Sequence, residues 1–377
     1  MDHFTERSTT SFGQNIGGSL KGIVFGLLFL IGSMIFLWWN ESRSVNQADA
    51  LNEMRINTVV LPDTRYYPEY KDKPVWVYGE IIPLKALEDT LFNVKSEGLS
   101  LKRNVEMYQW REHKNTKTED KLGGGTETIT TYDYTKEWSI IAVDSSSFRH
   151  PAEHINPQML YQTETFVTDA KLGEFYLSNN LVASIYPSET YTGLSSLPEQ
   201  VGMAKNYKSF LYIGENPQTP KVGDIKVSYT QASSGLFSVV AKEQAETLVP
   251  YRSSNDKEFF FVRRGNVALG QIFQQELDQN ATLTWIFRAI GLGVMFLGFS
   301  LIMGPLVALS NVVPMFGSLV DSVTGIIAAI FTLLVGSVII ALAWFGARPM
   351  LSIGILVAGV LFALGLSKFR KKKQTLM

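Results

Sequence analysis

Between Arg288 and Lys368 only Asp321 and Arg348 carry a charge, and they punctuate three long apolar runs. A fourth apolar run, from Gly22 to Trp39, lies near the amino terminus. Each run holds roughly 17–22 residues, enough to cross about 30 Å of hydrocarbon at about 1.5 Å per residue. Backbone amides in lipid must find partners within their own segment, so such runs fold as helices. The sequence predicts a four-pass α-helical membrane protein. Between spans one and two it carries a large α+β, strand-rich extracytoplasmic domain.

Orientation follows from the flanking positive charges. Lys368, Arg370, Lys371, Lys372 and Lys373 crowd behind the last run, and Lys21 abuts the first. Four crossings put both ends on one side, which the basic residues make cytoplasmic. The expected order is an amino-terminal arm (1–21), span one (22–39), the lumenal or periplasmic domain (40–284) and span two (285–309). A cytoplasmic loop (310–322), span three (323–345), a short outer loop (346–349), span four (350–367) and a basic tail (368–377) complete it. Trp38, Trp39, Trp285 and Trp344, with Arg348, fall at span ends on the domain side, where an amphipathic ring meets the interface. The first run ends in Leu37-Trp38-Trp39-Asn40-Glu41 without small residues at cleavage spacing, so it reads as an uncleaved signal anchor.

Cysteine is absent, which excludes disulfides, thiol nucleophiles and cysteine-based zinc sites. A formal net charge of −1 gives no electrostatic attraction for nucleic acid. Two glycosylation sequons begin at Asn40 and Asn280, both close to the membrane, and neither is expected to be used.

Within the domain, segments 75–82, 139–143 and 225–229 are rich in β-branched and aromatic residues and read as strands. Segments 104–112 and 126–138 flank Gly123-Gly124-Gly125, which predicts a long hairpin with its charged tip in water. Helical spacing is expected over 168–179, over 197–207 and over 267–281, the last leading into span two. Alternate strand residues share a face, so Glu106, Tyr108, Trp110 and Glu112 form a polar, aromatic ribbon suited to facing a partner.

The run Leu101-Lys102-Arg103-Asn104-Val105-Glu106-Met107-Tyr108-Gln109-Trp110 resembles a hallmark of the LUMA, or transmembrane protein 43, family. Tyr134-Thr135-Lys136-Glu137-Trp138, Glu215-Asn216-Pro217, the stretch Val222 to Tyr229 and Leu248-Val249-Pro250 match it too. So do Trp39-Asn40-Glu41 with Arg43, Arg288-Ala289 and Arg348-Pro349, so the likeness runs in order along nearly the whole chain. The resemblance implies an endoplasmic reticulum and inner nuclear membrane protein in animals. There it implies nuclear membrane organisation through self-association and contacts with emerin and lamins. In a prokaryote the corresponding place is the inner (cytoplasmic) membrane. The family brings no catalytic residues.

The residues themselves agree. His150 and His154 are spaced i, i+4, but Pro151 intervenes and no glutamate takes the catalytic slot, so a capping or surface role is expected rather than a metal site. Glu106, Glu112 and Glu137 are read as solvated or partner-facing rather than as an acid–base pair. No triad, phosphate loop or dinucleotide fingerprint occurs, so no catalytic residue, cofactor or metal is expected. Small residues at packing spacing, Gly18, Gly22 and Gly26, Ser300 and Gly304, Gly354 and Ala358, let helices approach in the lipid bilayer and suit a homo-oligomer. Two functions fit: a scaffold binding membrane or envelope proteins, or a membrane-state (envelope-stress) sensor that handles lipid. An aromatic patch favours the first, and an apolar groove at the membrane the second.

Overall fold

In the computed structural model, residues 2–310 and 314–347 are described. The fourth apolar run, the basic tail, Arg348, Gly354 and Ala358 lie outside them. Three described helices are long and apolar enough to cross a membrane: Phe12–Asn57, Leu269–Ser310 and, within Pro314–Ala347, Val320–Gly346. We call these α1, α2 and α3, with α3 taken as Pro314–Ala347. They overrun the expected spans at both ends. Much of the expected loop 310–322 is therefore helical, and 40–57 and 269–284 belong to helices rather than to the strand-rich domain.

Contacts divide the chain into two compact units. One holds Met1–Glu6, Ala50–Lys117 and Ile129–Gln275; the other holds Arg7–Asp49, Thr118–Thr128 and Glu276–Met377.

The first unit is built on two sheets. Its strands of most use here are β1 (Asp2–Thr10), β2 (Pro74–Pro83), β3 (Ser100–Asp120), β4 (Thr126–Ser139), β5 (Leu211–Ile213), β6 (Ile225–Ala232), β7 (Gly235–Gln244) and β8 (Thr247–Val249). The larger sheet runs β1-β4-β3-β6-β5 and continues through Ala204–Asn206 to Gln200–Val201. β3 and β6 are antiparallel, with Glu106 opposite Lys226 and Arg103 opposite Tyr229. Strict alternation explains its core: Leu101, Val105 and Met107 are buried on one face with Val227 and Leu211. In the smaller sheet β2, Ala170–Leu172, Phe175–Leu177, β8 and β7 pair in turn, and β7 pairs back onto β2, closing a ring of five strands. Val75, Val77, Phe175, Val239 and Leu248 fill that ring. A closed ring leaves no unpaired edge of its own.

The expected hairpin is present as β3 and β4, and strands form over 75–82 and 225–229. Two expectations fail. Segment 139–143 is not a strand beyond Ser139. The helices expected at 168–179 and 197–207 are short hairpins turning at Gly173 and Gly202, both at φ +57°, where the missing Cβ removes the steric bar. One feature was not expected: the arm carries a strand, β1, that pairs with β4 of the hairpin. Asn15 Nδ2 also donates to Gly124 O at the hairpin tip (2.9 Å).

Candidate functional site

The ribbon predicted from alternation is half-exposed at Glu106, Tyr108, Trp110 and Glu112, on the face of the sheet opposite its core. Glu106 meets Lys226 Nζ at 3.4 Å. Tyr108 lies 5.3 Å from the Trp138 ring, and Lys136 Nζ sits 4.3 Å above Trp110. The aromatic row continues from Trp138 to Tyr212 (6.2 Å) and to the stacked Tyr207 and Phe210 (5.2 Å). Lys226 lies 5.6 Å from the Phe210 ring. Flat rings with ammonium groups on their faces form a surface that is apolar in body and polar at its rim.

Glu112 departs from the ribbon's expected role. Its Oε2 accepts from Tyr134 Oη and from Arg149 N, each at 2.5 Å. Burial, together with that acceptor, pushes the Tyr134 hydroxyl up to about 12, so it remains a donor. Glu112 therefore faces the chain's own 148–154 segment rather than a partner. Glu137 pairs with Arg111 (2.8 Å) instead of joining Glu106 and Glu112.

Neither histidine of the 150/154 pair is a surface residue of the expected kind. Only one 3-10 turn, Pro151–Glu153, lies between them. His154 is fully buried, stacked on Tyr134 at 3.7 Å and edge-on to Trp110 at 4.7 Å. Among the described residues no cluster of three or more metal ligands occurs.

A second cluster carried no signal in the sequence. Arg103 and Asp89 are buried, with Nη1 donating to both Asp89 oxygens (2.7 and 2.8 Å). Arg103 Nη2 donates to Glu164 and Nε to the Gln162 carbonyl, while Tyr229 Oη donates to Asp89 at 2.6 Å. Every charge in this core is answered. It holds Asp89, the last residue of the short strand Leu87–Asp89, against the sheet.

In the second unit α1 and α2 are joined by a polar clamp. Arg288 donates through Nε and Nη2 to both oxygens of the buried Glu41 (2.6 and 2.7 Å). Arg43 donates to Asn280 Oδ1 and Thr284 Oγ1, both at 3.1 Å. The two sequon asparagines complete it: Asn40 Nδ2 donates to Thr284 O and Asn280 Nδ2 to Ser44 O. Both amides are buried and bonded, which leaves no space for a glycan on either.

The small residues sort by contact. A Cβ on Gly26 would lie 2.7 Å from Gly298 O, so α1 and α2 touch there backbone to backbone. Gly22 is looser, with its nearest atom at 3.5 Å, and Gly18 meets nothing within 4 Å. Gly304 approaches Ser19 at 3.7 Å, while Ser300 and Gly304 line a cavity of about 550 Å³. The tight positions that spacing missed are Gly291 against Leu37, Gly298 against Leu30 and Gly336 against Leu292. Gly291 and Gly298 stand seven apart, two turns of one helix face, and that period would have revealed them. Trp38, Trp39 and Trp285 are exposed and Trp344 half-buried. Met34, Ile35, Trp38, Trp39, Ser42 and Ile339 line an apolar groove of about 460 Å³.

Residues 107–349 match the family model described as Transmembrane protein 43. The human protein named Transmembrane protein 43 is 29% identical over 372 residues, covering 94% of this chain and 90% of its own length. The Drosophila melanogaster Transmembrane protein 43 homolog is 28% identical over 349 residues, covering 89% and 91%. No solved structure matches the chain.

Proposed function

Because the chain belongs to the transmembrane protein 43 family, we propose that this integral membrane protein is a non-enzymatic organiser, which self-associates and binds other membrane or envelope proteins through the aromatic face of its large sheet. The observation that carries this reading is the row Trp110, Tyr108, Trp138, Phe210 and Tyr207 with Lys136 and Lys226 on its rings. Tyr and Trp supply large contact area at low entropic cost, which is why they anchor interfaces. In a eukaryote the expected setting is the endoplasmic reticulum and inner nuclear membrane, with emerin and lamins as partners. In a prokaryote it is the inner membrane.

A photo-crosslinking residue at Tyr108, in native membranes, tests it. The expected product is a dimer of the chain or a discrete protein adduct, absent when the same probe stands at the exposed Lys95. Equal labelling from both positions would sink the reading. The apolar groove at Trp38 and Trp39 supports a second reading, lipid handling or sensing. Co-purification of one lipid class, lost in Ser42→Trp, would favour it.

A further inference from the structure

Two of the chain's four histidines, His150 and His154, face the amino-terminal strand, which carries a third, His3. Asp2 Oδ2 lies 3.2 Å from His154 Nε2. His3 Nδ1 lies 2.7 Å from Asp133 on β4. The Phe4 ring stacks on His150 at 3.9 Å and stands edge-on to Tyr134 at 5.9 Å. Glu6 accepts from Arg149 Nε at 2.5 Å. Residues 2, 4 and 6 thus point one way, into the 148–154 segment, as strand alternation requires.

The chemistry of His154 gives this dock a condition. Its Nδ1 faces the His150 carbonyl at 2.9 Å and its Nε2 faces the Asp2 carboxylate. Both are acceptors, so both contacts are hydrogen bonds only when the ring carries two protons and a positive charge. A neutral ring would turn one lone pair toward an oxygen in a fully buried place. His3 gains a charged partner in Asp133 by the same protonation. Other charged groups also face the dock: Glu6 with Arg149, Glu112 on Tyr134 and Arg149, and Lys136 on Trp110. His150 Nε2 is buried without a hydrogen-bond partner, so the Phe4 stack does not depend on a donor from that ring.

We propose that the outer edge of β4 and the 148–154 segment form a strand-docking surface that reads an acid-x-aromatic-x-acid segment. The chain's own Asp2–Thr10 arm is its resident occupant, and it is released when His154 and His3 lose their protons. Histidine is the side chain that changes charge near neutrality. Release bares the outer edge of β4, a row of unpaired backbone groups able to receive another strand.

Hydrogen exchange of the arm amides in the full chain, in lipid nanodiscs at pH 6 and pH 8.5 and corrected for intrinsic rates, tests this. Protection over residues 3–9 should be about tenfold greater at pH 6, as one lost charged contact of about 1.4 kcal/mol implies. Asp2→Asn, at an exposed side chain, should cut that ratio, and Asp2→Asn with His3→Asn should abolish it. His154→Phe keeps the stack on Tyr134 and should leave the arm weakly protected at both pH values. Glu6→Gln should lower protection at both without changing the ratio. Equal protection of the parent at the two pH values, or an unchanged ratio in the double variant, would overturn the proposal.

Discussion

Asp89 and Glu243 are both buried carboxylates of the strand-rich unit, and they are treated in opposite ways. Asp89 accepts from Arg103, Tyr229 and the Leu91 amide. Glu243, on β7, has no hydrogen-bond partner on either oxygen, and its carboxyl is pushed up to about 7 by burial and then by the nearby Glu69. The first site ties the stretch after β2 to the large sheet through a charge that is fully met. The second leaves a charge half-forbidden at the rim of the five-stranded ring. Burial alone does not say what a carboxylate does; its donors do. Glu41, held by the Arg288 fork, is the helix-unit counterpart of Asp89.

Removing donors tests this contrast most severely. Arg103→Met should cost about 3–5 kcal/mol, because it strands Asp89 uncompensated inside the domain. Urea denaturation in detergent, followed by tryptophan fluorescence, reads that loss, and a cost under about 1 kcal/mol would mean Asp89 finds water instead. Arg288→Met should cost about 3 kcal/mol at the helix clamp by the same reasoning. The measurement is thermal resistance to proteolysis between α1 and α2, and Glu41→Gln placed beside it should restore part of the loss.

Smaller effects sharpen the comparison. Tyr229→Phe removes one of several donors to Asp89 and should cost about 1.5–3 kcal/mol in the same urea assay. Glu243→Gln should do the reverse at pH 8, raising stability by about 1 kcal/mol by removing a buried charge. The sign with pH follows from linkage. A carboxyl whose folded value lies near 7 against an unfolded value near 4.5 binds more protons when folded. Stability is therefore greatest below the unfolded value and falls as pH rises through about 7. The parent should show that fall and the glutamine variant should not; a parallel fall in both would assign it elsewhere.

The hairpin was legible because its signal is local: alternation over 104–112 and three glycines at the turn. The two misread helices show why locality also misleads. Leu172, Phe175, Tyr176 and Leu177 satisfy helical spacing, yet two three-residue strands around Gly173 bury Leu172, Phe175 and Leu177 equally well. The arm was invisible for the opposite reason. Its partners lie 130 and more residues away, and nothing in Asp2-His3-Phe4 alone names them. Arg103 and Asp89 are only 14 apart, but a lone pair of opposite charges at that distance is common, and what makes this one a core is Tyr229 arriving from β6. Gly26 was found by its small-residue spacing, while its true counterpart Gly298 was not, since contact between helices is a property of two sequences at once.

The pairing of β1 with β4 also sets an order of events. The arm leaves the ribosome first, and Asp133 follows it by 130 residues. At about 5–20 residues per second, roughly 6–26 s separate the two. Through that interval the strand has no edge to join, while the apolar run of α1 is already available for insertion. The strand and the apolar run of α1 are thus both made before the edge that the strand will join, so the arm must stay available through that interval to complete the sheet.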